Sequence, residues 1–232
     1  TGTATSGVLL DKKLQVTGDI GATGNFEIGG TLTAPSATFS GAVGASRIDV
    51  GTADGVVFMN TIVGVNALAG AQSGNGANVA LGINALRNNT SGAYNVALGT
   101  DAMLYNSTGE YNVAVGRTAL RDSTTGAFNT AMGDAALQLN TTGYSNTALG
   151  QAAMVSNTTG FGNTSLGVRS LQANTTGILN VALGNYALGN NTGGDRNTAV
   201  GSDALRGNTT GQYNTALGRY AGYADFVDNT SN

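Results

Sequence analysis

The chain lacks the side chains that carry much of enzyme chemistry. Its 232 residues include no Cys, no His and no Trp, and a single Pro, Pro35. Without His or Cys there is no Ser-His-Asp triad, no thiolate nucleophile, no disulfide framework and no His-ligated metal. One Pro also excludes a collagen-like triple helix, although the chain has 37 Gly. Carboxylates are the groups that remain for catalysis.

Charged residues and long apolar runs are also scarce. Charged residues make up 10% of the chain, and its net charge is −3. Because nucleic-acid binding requires a basic face, this balance excludes that function. No apolar run approaches about 18 residues, so the sequence predicts no membrane span. We expect no cofactor and no metal site.

What the chain does contain is a unit that returns every 17 residues. The copy at Asn78 reads NVALGINALRNNTSGAY, and later copies read NVALGTDAMLYNSTGEY and NTALGQAAMVSNTTGFG. An earlier copy, NTIVGVNAL from Asn60, begins 18 residues before, so one residue is inserted near Gly74 to Ala77. The first glycines of the in-register copies are Gly82, Gly99, Gly116, Gly133, Gly150, Gly167, Gly184, Gly201 and Gly218. Such a strict period is typical of a solenoid.

Some positions of the unit recur and others vary. Numbered from the first glycine as 0, the recurring residues are Ala/Leu at +3/+4, Asn-Thr-Thr-Gly at +7 to +10, Asn at +13, Val/Thr at +14 and Ala/Leu at +15/+16. Positions +1, +2, +5, +6, +11 and +12 vary, and every charged or aromatic residue from Asn78 to Ala224 lies at one of them. We therefore expect recurring positions to face the core or the next coil and variable positions to face outward.

The repeat predicts a parallel β-roll. A unit of 17 residues is too short for a helix pair, and its Gly and Asn suit corners. The two apolar segments, at +15/+16 and +3/+4, predict two strands per coil, with coils stacked about 4.8 Å apart. The Asn at +7 and +13 predict amide ladders along the stack, which we favour over a role in ligation.

Neighbouring side chains on a strand point to opposite faces, so Ala at +15 and Leu at +16 cannot both enter one interior. We therefore expect the roll to pack against copies of itself, most simply as a homotrimer, with a dimer as the alternative. The predicted fold is an all-β, 17-residue-repeat parallel β-roll of about ten coils over residues 60–224. A short β-rich trimeric shaft segment is expected at 1–59, where Gly-punctuated alternating runs such as NFEIGGTLTA occur. Residues 225–232 are expected to form a cap or a junction.

Tandem NTALGxxAL and NTTG units resemble those of bacteriophage tail-fibre and related adhesive-fibre proteins. The NxALG element, for instance Asn146 to Gly150, is also similar to the head repeat of trimeric autotransporter adhesins. The resemblance covers about residues 60–224, and GTLTAPSATFSGAV before it looks like fibre-shaft sequence. It implies a trimer, an extracellular location on a virion or bacterial surface, and a C-terminal intramolecular chaperone that is cleaved off and is absent from this chain.

We expect a non-enzymatic trimeric fibre or adhesin that presents variable side chains for attachment to a cell-surface glycan or other receptor. The first alternative is a tailspike-type glycan hydrolase, because Asp101, Glu110, Asp122 and Asp134 lie at outward positions and glycoside hydrolysis usually takes two carboxylates about 5–10 Å apart. The lesser alternative is an ice-binding solenoid with a regular array of Thr at +8/+9, such as Thr141/Thr142.

The candidate ligand-binding residues are aromatic. They form a row at +11/+12 and a terminal cluster: Tyr94, Tyr111, Phe128, Tyr144, Phe161 and Tyr213 in the row, with Tyr220, Tyr223 and Phe226 in the cluster. The row should place flat apolar rings about 4.8 Å apart, an arrangement suited to sugars. It is broken at Ile178/Leu179 and Asp195/Arg196. The alternative, favoured by the aggregation hazard of an exposed row, is that the rings fill the groove between subunits.

Overall fold

The computed structural model describes residues 60–70 and 76–223. The predicted shaft segment at 1–59, the predicted cap at 225–232 and the candidate residue Phe226 lie outside the described residues. Within them the chain is all-β, and no helix is long and apolar enough to cross a membrane.

Ten short strands form one parallel sheet whose order is the order of the sequence. The strands are β1 (Thr61–Val63), β2 (Val79–Leu81), β3 (Val96–Leu98), β4 (Val113–Val115), β5 (Thr130–Met132), β6 (Thr147–Leu149), β7 (Thr164–Leu166), β8 (Val181–Leu183), β9 (Thr198–Val200) and β10 (Thr215–Leu217). From β2 onward, equivalent residues pair at 17-residue intervals, as Val79 does with Val96. Thr61 pairs with Val79, which confirms the one-residue insertion in the first coil. The predicted parallel solenoid is confirmed.

Each coil contains one strand, at +14 to +16, and the second strand that we predicted at +3/+4 is a turn. Residues at +2 and +4 both take left-handed backbone angles, as at Asp101 (φ 58°) and Met103 (φ 52°). The main chain still bonds between coils there, because the Met103 N–H donates to the carbonyl of Ala119 at 3.0 Å. The segment therefore stacks like a strand without having the dihedral angles of one.

The left-handed turn brings Leu or Met at +4 into the interior. A left-handed conformation costs a non-glycine residue about 1–2 kcal/mol. Leu86, Met103, Leu120 and Leu137 take this conformation and are fully buried. Burying such a side chain contributes about 1.5–3 kcal/mol, which offsets the strain. The remaining core is small, because Ala fills both +3 and +15 in most coils.

One coil has a polar pair in this core. Ser165 stands at +15 and Ser170 at +3, where other coils have Ala, and both are fully buried. Their hydroxyl oxygens are 2.5 Å apart, and Ser165 Oγ also donates to the Ser170 carbonyl at 2.9 Å. Because each hydroxyl satisfies the other, the exchange of two alanines for two serines leaves no unpaired polar group.

Two columns of buried asparagine run the length of the solenoid and confirm the predicted amide ladders. At +13, Asn78 Oδ1 accepts the main-chain N–H of Asn95 at 2.9 Å, and the Asn95 amide donates to the Gly109 carbonyl at 2.8 Å. At +7, Asn106 Nδ2 donates to Asn89 Oδ1 at 2.7 Å and to the same Gly109 carbonyl at 3.1 Å. The glycine carbonyl at +10 therefore joins the two columns.

Both recurring glycines are required by close approach. At position 0, Gly99 has φ 138°, and a Cβ there would lie 2.5 Å from the carbonyl oxygen of Gly116. At +10, a Cβ on Gly160 would lie 2.5 Å from the carbonyl oxygen of Gly177. A side chain at either position would separate the coils.

The +7 column is interrupted once. Ser123 replaces Asn, so Asn106 loses the amide that would donate to its Oδ1. Asn106 Oδ1 and Ser123 Oγ are buried and have no hydrogen-bond partner among the described residues. An unpaired buried polar atom costs about 1–3 kcal/mol, so the coil that contains Ser123 is the least stable point of the +7 column.

We predict that Ser123→Asn raises the free energy of unfolding by about 1 kcal/mol, because the new amide would donate to Asn106 Oδ1 and accept from Asn140 Nδ2. Thermal unfolding followed by circular dichroism measures the change. The matched control is Asn157→Ser, which creates a second interruption and should lower the melting temperature. An unchanged or lower melting temperature for Ser123→Asn would show that the interruption is not a defect.

Candidate ligand-binding surfaces

The outer sheet face, formed by the residues at +14 and +16 of the ten strands, has no charged side chain along its whole length. Position +14 is Val or Thr and position +16 is Leu, Val or Met in every strand. The middle residue points inward, so Ala148 is fully buried, whereas its neighbours Thr147 and Leu149 are only partly buried. This agrees with the expectation that +15 and +16 cannot share one interior. The broader expectation that every recurring position faces the interior or the next coil does not hold at +14 and +16 in the single chain, because the narrow coil has room for only one strand face.

Several side chains on the outer sheet face are well exposed in the single chain. Leu81 and Leu166 are 47% exposed and Met132 is 45% exposed. Nine coil spacings of about 4.8 Å make this stripe about 43 Å long. Its +16 column is apolar in all ten strands, and an exposed apolar surface of this length is typical of interaction sites.

The predicted aromatic row exists, but as two separate stacks. At +12, the ring centroids of Tyr94 and Tyr111 are 4.8 Å apart, and those of Tyr111 and Phe128 are 5.1 Å apart with an interplanar angle of 2°. At +11, Tyr144 and Phe161 stack with centroids 4.7 Å apart. The rings thus follow the coil spacing, as predicted, but the row shifts by one residue between Phe128 and Tyr144.

The other candidate residues are not part of either stack. Tyr213 lies alone at +12, with the guanidinium of Arg196 5.5 Å from its ring centroid. Tyr220 and Tyr223 contact each other edge to face at 5.3 Å, and Arg219 lies 4.6 Å from the Tyr220 ring. These three residues surround no common site among the described residues.

The aromatic columns, meaning the residues at +11 and +12, differ from the outer sheet face in charge. They include Glu110, Asp195 and Arg196, whereas none of the strand residues at +14 and +16 is charged. Unpaired charge is expensive at a dry interface. The distribution favours a solvent-facing position for the aromatic columns over a place within a subunit groove.

The four carboxylates of the hydrolase hypothesis are mostly engaged. Asp122 makes a two-point contact with Arg121 at 2.7 and 2.8 Å, and this hydrogen bond raises the pKa of Arg121. Asp134 pairs with Arg117 at 3.0 Å, and Asp101 accepts from Asn84 Nδ2 at 2.9 Å. Only Glu110 lacks such a partner within the described part of the chain. No group of three acidic residues there could hold a metal ion.

The Thr corner has two unlike columns. At +8, hydroxyls donate along the stack to the carbonyl of the next coil, as Thr141 Oγ1 does to Thr158 at 3.0 Å. At +9, residues such as Thr142 and Thr159 are exposed. Half of the regular hydroxyl array is therefore committed to the protein's own main chain.

No protein-family model, curated protein or solved structure matches this chain.

Sequence reasoning missed two features of these surfaces. The side chain at +16 points outward because only one face of each strand lines the interior. Alternation along the strand could not show which face that is. The shift between the aromatic stacks was visible in the sequence, since Tyr144 stands at +11 and Phe128 at +12. Treating the two positions as one row concealed it.

We predict that Tyr111→Ser combined with Phe128→Ser leaves the oligomeric state unchanged and lowers the melting temperature only modestly. Each lost ring pair contributes about 0.5–1.5 kcal/mol beyond its area. Analytical ultracentrifugation and thermal unfolding measure the two effects. If the double variant dissociates, the rings belong to a subunit interface and the charge argument is wrong.

Proposed function

We propose that the protein is a non-enzymatic, homotrimeric fibre that attaches to a cell-surface glycan through its variable side chains. The observation that carries this proposal is the outer sheet face, which is uncharged over ten strands and partly exposed in the single chain. Covering it stabilises an assembly at about 25 cal/mol per Å² of apolar surface removed from water. The repetition of the stripe suits a partner with the same repeat, which is another copy of the chain.

Three copies accommodate the geometry simply. A flat face shared by two chains would require the stripes of Leu and Val to interdigitate directly. In a trimer, the outer sheet face of each chain would contact the two other chains around the central axis. The variable positions that carry charge would then lie on the outer surface of the trimer. The family resemblance noted from the NxALG and NTTG units also implies a trimer, on an extracellular fibre of a virion or bacterium, with the implied chaperone acting during assembly.

The variable positions would bind the cell-surface glycan, because they hold the charged and aromatic side chains of the described coils. In a trimer each such position is presented three times, so weak contacts with a repeating glycan would add up through multivalency. This arrangement separates the two tasks of the chain. Recurring residues build the rod, and variable residues differ from coil to coil without disturbing it.

The two alternative functions have less support. A glycan hydrolase needs a pair of carboxylates, and three of the four candidates are held by Arg or Asn side chains. An ice-binding face needs a free hydroxyl array, and the Thr at +8 donate to main-chain carbonyls. Assays for released reducing ends and for thermal hysteresis test the two alternatives, and both are expected to be negative.

We predict that Leu149→Asp combined with Leu183→Asp converts the trimer into a monomer, because each substitution would place an unpaired charge in the covered stripe at a cost of several kcal/mol. Both leucines are only partly buried in the single chain, so the monomer itself should still fold. Light scattering coupled to size exclusion gives the mass, and circular dichroism checks the β-rich fold.

The matched control is Gln151→Asp combined with Asn185→Asp. Both residues stand at the exposed +1 position, two residues beyond the same leucines. A surface exchange usually stays within about 0.5 kcal/mol, so the control should remain trimeric. A wild-type chain that is a stable monomer would refute the proposed function outright.

A further inference from the structure

The shift between the two aromatic stacks leaves a gap in the +12 column. Tyr94, Tyr111 and Phe128 fill +12 in successive coils, and the next two residues at +12 are Ser145 and Gly162. The second stack, Tyr144 and Phe161, lies one residue earlier in each coil. On the side of Phe128 that faces Ser145, the column therefore offers a hydroxymethyl group in place of a ring.

This notch, defined by Phe128, Tyr144, Ser145, Gly162 and Leu179, has a distinct boundary on each side. Phe128 is 61% exposed, the highest value among the aromatic residues of the described coils. At the other end Leu179 folds back over Gly162, since a Cβ on Gly162 would lie 2.8 Å from Leu179 Cδ2. Tyr144 stands beside the notch in the same coil as Ser145. Between Phe128 and Leu179, the +12 column is therefore open over about one coil spacing, which is roughly 4.8 Å along the stack.

We propose that the notch binds a pyranose ring of the receptor glycan, an assignment that rests on the proposed attachment function. A pyranose has a flat apolar face of C–H groups and a rim of hydroxyls. Its apolar face would stack on Phe128 at the level where a further aromatic ring would continue the column, opposite the face that Tyr111 covers at 5.1 Å. The sugar takes the place of the missing ring.

The polar atoms at the rim of the notch suit the hydroxyls of a sugar. The hydroxyl groups of Ser145 and Tyr144 make no hydrogen bond within the described residues, and both side chains are exposed. Each can donate one hydrogen bond and accept others. The aromatic face of the protein would contact the apolar face of the sugar, and the hydroxyls at its edge would bond the hydroxyls at the sugar's rim. A neutral sugar offers both of these surfaces.

The sharpest test fills the notch. Ser145 has φ 54°, close to the 58° of Tyr94 in the same column, so the backbone already accepts tyrosine there. Ser145→Tyr would extend the stack over Phe128 and displace the sugar without removing any protein contact. The probe is an array of immobilised bacterial surface oligosaccharides, and the purified full chain is applied at matched concentrations.

The matched control is Ser156→Tyr. Ser156 lies at +6, where Tyr105 and Leu139 show that a large side chain is accepted. We expect wild type and Ser156→Tyr to bind the same pyranose-containing oligosaccharides, Ser145→Tyr to lose this binding with an equal or higher melting temperature, and Phe128→Ser to bind about tenfold more weakly.

The possible failures have different meanings. If Ser145→Tyr binds like wild type, the notch is not the site, while attachment by the fibre remains intact. If wild type binds no oligosaccharide, both the sugar site in the notch and the attachment to a glycan are refuted. This holds whatever the oligomeric state of the protein. The mass measurement on the leucine variants tests the trimeric fibre independently, so failure of the sugar site cannot be mistaken for failure of the assembly.

Discussion

The structure depends on the satisfaction of buried asparagine amides by the coils above and below. The asparagines at +7 and +13 are almost completely buried from Asn60 to Asn208, and a buried amide without partners costs several kcal/mol. No residue of the same coil accepts or donates all of the required hydrogen bonds. Each column is complete only when the next coil presents the same amide at the same height, as Asn112 does when its Nδ2 donates to Asn95 Oδ1 at 3.2 Å. This requirement explains why the 17-residue period is so strict.

The same requirement limits the width of the coil and so creates its outer surface. The interior holds the amide columns, a column of Leu or Met, and two columns of Ala. Only one side chain of each three-residue strand can enter so narrow a space. The other two, such as Thr147 and Leu149, are left outside, and the one at +16 is Leu, Val or Met in every strand. The architecture of the single chain therefore generates an apolar stripe, and this stripe is the physical basis for the proposed assembly.

Much of the fold could be predicted from internal repetition. The period, the parallel in-register stacking, the asparagine ladders and the spacing of the rings were all correct. The strand predicted at +3/+4 was wrong because Leu and Met are unusual in left-handed conformations, which the burial of residues such as Met103 stabilises. Signals were present: Asn66 and Asn84 at +2, and Gly222 at +4, are residue types that tolerate positive φ.

The candidate site was less predictable than the fold. The aromatic residues and their shift from +12 at Phe128 to +11 at Tyr144 could be read from the sequence, but which rings stack on each other is known only from the structure. The notch arises where Ser145 and Gly162 are small, and small residues carry no signal in a repeat whose variable positions tolerate any side chain. Charge was the more useful guide, because Glu110 and Arg196 favour a solvent-facing position for the aromatic columns.

Hydrogen exchange of the asparagine side chains, measured by NMR, shows whether the interior amides hold the coils together in solution. We expect slow exchange for the amide protons of Asn95, Asn112 and Asn157, which are fully buried. The exposed Asn88 and Asn190 should exchange at once. If the amides of the buried columns exchange as fast as those of Asn88, the ladders do not persist in solution and do not hold the coils together.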